Sequence, residues 1–156
     1  MPESDKKLEK IGIFIDVQNI YYTCRQAYQA NFDYNKFWAK VTKDREVVCA
    51  YAYATDRGDQ KQAQFQNILR AIGFEVKLKA VLKRLDGTSK ADWDVGIALD
   101  VFEAAQSCDT IVLASGDGLG HGAGIVGIVY SRLARFGTQI HDLVPPRLHC
   151  LCDRDL

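Results

Sequence analysis

Apolar residues fall along this chain in short unbroken runs separated by amphipathic stretches. The first run, Ile11 to Ile15 (IGIFI), shows no polar alternation, the pattern of a parallel strand covered on both faces. Its polar residues come at its end, Asp16 and then Asn19. Ile20 to about Gln29 carries aromatic and apolar residues without proline or glycine and predicts a helix. Asn31 to Val41 opens with turn formers and then sets Phe37, Trp38 and Val41 at helical spacing. These aromatics are expected in the core rather than on a base-stacking surface. Glu46 to Ala54 predicts a second strand, ending in Asp56 and Arg57, and Asp59 to Ile72 an amphipathic helix with Asp59 as cap and Gly73 closing it.

Phe74 to Leu82 alternates, with Val76, Leu78 and Ala80 on one side and Lys77 and Lys79 on the other. That predicts a sheet edge with one wet face. Asp92 to Ala105 reads as a helix from Trp93, Ile97, Val101 and Ala104 or Ala105, and Thr110 to Ala114 is a further short apolar run. Ser115, Gly116, Asp117 and Gly118 follow it at once, so a second interior strand ends at an aspartate. Beyond Leu119 the pattern loosens. Gly120, Gly122, Gly124 and Gly127 fall where a helix is due, each unfavourable by about 1 kcal/mol relative to alanine. A last strand is expected around Gln139 to Val144, ended by Pro145 and Pro146. Strands alternating with helices predict an α/β fold around a parallel sheet.

A length of 156 residues suits one domain, 1–156, of which 119–156 is atypical. Lysine plus arginine and aspartate plus glutamate each number 20, so a nucleic-acid partner would need a local basic patch. The stretch 77–90 offers one, with Lys77, Lys79, Lys83, Arg84 and Lys90 against Asp86. A solvated edge and a phosphate-binding surface are equal readings of it. The charged N-terminus and the lack of any apolar run of about 20 residues predict a cytoplasmic protein without membrane contact. Cys24, Cys49, Cys108, Cys150 and Cys152 are odd in number and irregularly placed, which predicts free thiols. His149, Cys150 and Cys152 lack the second half-site of a structural zinc.

Asp16, Asp94 and Asp117 come to one edge if the strands run parallel and helix 92–105 packs on them. Each also has a plain structural reading, Asp16 as a helix cap and Asp94 as an acid in a first helical turn. Asp100 is rotated by roughly 120° from Asp94 on an ideal helix, so it is expected to be solvated or salt-bridged rather than to share an ion with it. Crowded carboxylates favour a hard cation, Mg2+ or Mn2+, the equipment of phosphodiester hydrolysis. Asn19 would orient a water or a phosphate without adding charge. A phosphatase or nucleotide-binding reading is weaker, since no G-x-G-x-x-G loop follows the first strand.

Three segments, IFIDVQNIY around Asp16, KADWDVGIALD (Lys90 to Asp100) and VLASGDG (Val112 to Gly118), resemble the signature motifs of the NYN domain, the LabA-like branch of the PIN-like nuclease superfamily. The resemblance covers about residues 10–118. It implies a three-layer α/β/α Rossmann-like fold with a central, mostly parallel sheet, and a magnesium- or manganese-dependent ribonuclease activity on RNA. By motif, the metal-site acids would be Asp16, Asp94 and Asp117, with Asn19, Lys90 and Ser115 beside them. Lys79 and Lys83 join the substrate-binding candidates from the basic edge. The family's SGDxD continues here to Leu119, so a fourth carboxylate is missing. A module of the same fold that binds RNA or a protein without turnover, or that acts as a homodimer, is the alternative expectation.

Overall fold

The computed structural model of the chain describes residues 7–80, 82–83, 85, 89–90, 93–115, 126–131 and 152–153. The run around Phe14 forms β1 (Glu9–Asp16), buried from Ile11 onward, and α1 (Val17–Tyr28) follows without a loop. Asp16 makes that junction possible. Its side chain accepts from the Asn19 backbone N–H at 3.2 Å, satisfying one donor that a helix start leaves open. Asp33 does the same for α2 (Tyr34–Thr42) through Lys36 N–H, and Asp59 for α3 (Gln60–Ile72) through Lys61 N–H. Gly73, at φ 136°, closes α3.

β3 (Arg45–Asp56), β4 (Glu75–Ala80), β7 (Thr110–Ser115) and β8 (Val126–Ser131) join β1 in one sheet, ordered β4-β3-β1-β7-β8. The first four strands are parallel and β8 is antiparallel to β7. A short hairpin pairs β5 (Leu82–Lys83) with β6 (Ser89–Lys90), and β2 (Asn31–Phe32) pairs with β9 (Cys152–Asp153).

The sheet buries both faces. On one, Ile11, Ile13 and Ile15 pack against Ile20 and Cys24 of α1, Phe37 and Val41 of α2 and Leu69 of α3. On the other, Phe14 and Tyr53 pack with Ile97 and Ala104 of α4 (Asp94–Ala104). Helices on both sides of a mostly parallel sheet make the three layers expected from the sequence. Among the described residues, no helix is long and apolar enough to cross a membrane.

Two expectations need correction. The alternation in β4 predicts a wet lysine face, yet Lys77 lies beneath α4, 2.7 Å from Asp100. Hydrophobic counting misreads this face because α4 brings a carboxylate to Lys77 and the neighbouring β3 brings the rings of Tyr51 and Tyr53, rather than aliphatic side chains. The glycine-rich stretch after Leu119 is placed in a helix by analogy with the earlier units, but Val126–Ser131 is a strand. Its β-branched Val126, Ile128 and Val129 suit a pleated surface better than a helix. The strand expected at Gln139 to Val144 lies outside the described residues.

Candidate functional site

Winding runs from β1 to β3 and β4 on one side, then crosses to β7 on the other side of β1. The carboxyl ends of β1 and β7 thus form a topological switch point, the usual ligand crevice of open α/β sheets. Asp16 stands at the end of β1 with only 5% of its surface exposed. Its second carboxylate oxygen accepts from Asn19 Nδ2 at 2.8 Å, and the same amide reaches Ser115 Oγ, at the end of β7, at 3.5 Å. Asn19 therefore fixes the carboxylate and spans the crevice. The structure brings together Asp16, Asn19 and Ser115, all three singled out from the sequence.

α4 begins near the same edge. The Trp93 indole donates to the Ala54 carbonyl at 2.9 Å, one residue beyond Tyr53, the partner of Asp16 in the sheet register. Asp94 opens the helix and its side chain lies outside what the structure describes; Asp117 lies outside the described residues altogether. Among the described residues no group of three or more histidines, cysteines or carboxylates is assembled. The one described acid at the switch point offers hard oxygen donors, which suit magnesium or manganese rather than a soft metal.

Lys83 and Lys90 sit on the β5–β6 hairpin, in the register Lys83 to Ser89 and Leu82 to Lys90. Lys79 lies with its ammonium 5.5 Å from the Trp93 ring. Lys77 has a structural role instead. Its Nζ bonds Asp100 at 2.7 Å and sits 4.0 Å from the Tyr51 ring centroid, while Tyr53 donates to the same Asp100 oxygen at 2.7 Å. Burial alone would raise the Asp100 pKa, but the hydrogen bonds from Lys77 and Tyr53 more than offset it, and the carboxyl ends below its ordinary value. Burial likewise opposes the charge on Lys77, and Asp100 reverses that, so its pKa is raised. Asp100 is salt-bridged, as expected.

Sequence reasoning missed a cleft of about 740 Å³ between α1 and α3, beside the carboxyl end of β3. Tyr21 and Tyr22 line it from α1, Lys61, Phe65 and Gln66 from α3, and Thr55 and Arg57 from the end of β3 and the turn after it. Gln66 and Thr55 are polar and only 8% and 9% exposed. Tyr34, also lining the cleft, has its phenol pKa raised by burial first, then by Cys24 and by the charge of Asp16. Val17, next in the chain to Asp16, also lines the cleft, so the cleft adjoins the switch-point carboxylate. The one sequence signal for it was a surplus of glutamines on α3, where Gln64 and Gln66 flank Phe65.

Fold and site together define a Rossmann-like α/β protein with a buried acid at its switch point. The chain belongs to the NYN domain family, whose sequence profile matches residues 10–120. This is a PIN-like nuclease family, whose members generally depend on divalent metal. The chain is 31% identical over 120 residues to the low amplitude and bright protein LabA of Synechococcus elongatus, a match covering 70% of this chain and 62% of that protein. It is also similar to a crystal structure of a protein of unknown function from Vibrio parahaemolyticus, with a TM-score of 0.68 and 55% identity, covering 74% of this chain and 71% of that one.

Proposed function

We propose that the protein is a divalent-metal-dependent ribonuclease, with Asp16, Asp94 and Asp117 holding Mg2+ or Mn2+. The observation that carries this reading is the Asp16 carboxylate, buried at the switch point and clamped by an asparagine that also reaches Ser115. A capping aspartate needs only the backbone bond to Asn19; the additional amide bond fixes the direction of its second oxygen. Bound there, such an ion polarises a phosphoryl oxygen and lowers the pKa of a coordinated water. Asn19 holds Asp16 in place, and Ser115 offers a hydroxyl to a phosphate oxygen. Lys79, Lys83 and Lys90 supply positive charge along the edge where the backbone of the substrate would run.

The test is cleavage of a labelled single-stranded RNA by the purified chain with Mn2+, with Mg2+ and with chelator, beside Asp16→Asn. Metal-dependent cleavage reduced at least about 100-fold in the variant is the expected result. Leu119, standing where the family carries a further acid, favours a second reading, an RNA-binding module without turnover. A folded wild-type protein that retains RNA and leaves it intact under all three conditions would establish that reading instead.

A further inference from the structure

The nuclease reading leaves the cleft between α1 and α3 without a role. We infer that this cleft receives one unstacked base of a single-stranded RNA and so selects single strands; the inference rests on the RNA half of the proposed function. Gln66 and Thr55 carry the argument. Both are more than nine-tenths buried and both line the cleft, and among the described residues no buried side-chain polar atom is left without a partner or access to solvent. A few polar side chains set in an otherwise aromatic cleft orient a ligand through its donors and acceptors, which suits the edge of a base. An aliphatic ligand would strip water from them and return no hydrogen bond.

The surrounding side chains match the rest of a nucleotide. Tyr22, 48% exposed, and Tyr21 stand with Phe65 around the opening and offer ring faces, which stack on any base regardless of sequence. Arg57 and Lys61 are exposed beside them, and among the described residues no carboxylate lines the cleft, as a phosphate neighbour requires. A volume of about 740 Å³ lies within the ordinary range for small-molecule sites. A base inside a duplex is paired and stacked and cannot enter; a splayed base of a single strand can. Val17, the residue after Asp16, lines the cleft, which sets it beside the proposed cleavage centre.

The test is fluorescence anisotropy of a labelled eight-nucleotide RNA in chelator, where binding is read without cleavage. The full chain is compared with Tyr22→Ala, Gln66→Leu and the exposed double variant Arg57→Glu/Lys61→Glu, each checked for folding by circular dichroism. Each is expected to bind the single strand about tenfold more weakly, while Tyr22→Ala and Gln66→Leu leave duplex binding unchanged. Should Gln66→Leu fail to fold, Tyr22→Ala and the exposed double variant decide. Wild-type affinity in the folded variants, with loss confined to Lys79→Glu/Lys83→Glu, would overturn the inference and assign binding to the basic edge. So would displacement of the RNA by polyglutamate at equal charge, since that peptide carries no base. The two readings fail separately. Cleavage with unchanged KM in the cleft variants removes this inference and leaves the nuclease, whereas cleft-dependent binding without metal-dependent cleavage keeps it and removes the nuclease.

Discussion

At Gly12, in the middle of β1, a methyl group would meet Phe14 Cε2 at 3.1 Å and the sulfurs of Cys49 and Cys108 at 3.2 Å each. All three contacts are tighter than a side chain ordinarily tolerates. Gly12→Ala should therefore destabilise the fold by about 1–3 kcal/mol, read as a lower urea midpoint at unchanged m-value. An unchanged midpoint would show that the thiols give way freely. Burial pushes the Cys49 thiol up to about 11, so it stays protonated near neutral pH. What was legible at this scale follows the distance over which a residue acts. Asp16 and Asn19 lie three positions apart, within reach of local pattern. Lys77 and Tyr53 find Asp100 across 23 and 47 residues, and no spacing rule announces such a meeting. The glutamines of α3 hint at the cleft but do not single out Gln66, because a buried polar residue on an amphipathic helix looks like a solvated one.

Among the elements, α4 divides the apolar residues of its sequence between two faces. Ile97 is buried against Phe14 and Tyr53, whereas Val95, Leu99 and Phe102 point outward at helical spacing, Phe102 with 73% of its surface exposed. Ile97→Ala should cost about 2–5 kcal/mol, and Phe102→Ser at most about 0.5 kcal/mol, by chemical denaturation of the two variants side by side. Equal losses would mean that the outer stripe is covered in solution. The sequence placed α4 and the interior strands within about two residues of their observed ends, since burial on both faces leaves continuous apolar runs. β4 was located correctly and its environment misjudged, because the nature of a strand's cover is set by an element that comes later in the chain. β8 was missed because the preceding strand-then-helix rhythm outweighed its own β-branched composition.

For the molecule as a whole, two carboxylates tie separate strands and layers together. Glu9 accepts from Thr110 Oγ1 and from Arg45, linking β1 to β7 and β3, and Asp100 links α4 to β4 and β3. The bond to Thr110 first and that to Arg45 second lower the Glu9 pKa, and Asp100 is lowered as described. Groups with depressed folded pKa values contribute stability that is complete above their unfolded values, here 4.5 and 3.8, and is lost as pH falls through the folded ones. Stability to urea should thus decline on acidification through that window. Asp100→Asn should lower stability at neutral pH and flatten the acid decline; a decline as steep as in wild type would show that Asp100 has no part in it.

The strand order has a consequence in time. Of the described strands β1 is synthesised first, yet its second edge is closed only by β7, almost a hundred residues later. At ordinary elongation rates that interval is roughly 5–20 s. Throughout it, an apolar strand with a row of unpaired N–H and C=O groups is open to any neighbouring nascent chain. The growing polypeptide is thus the species most exposed to edge-to-edge pairing.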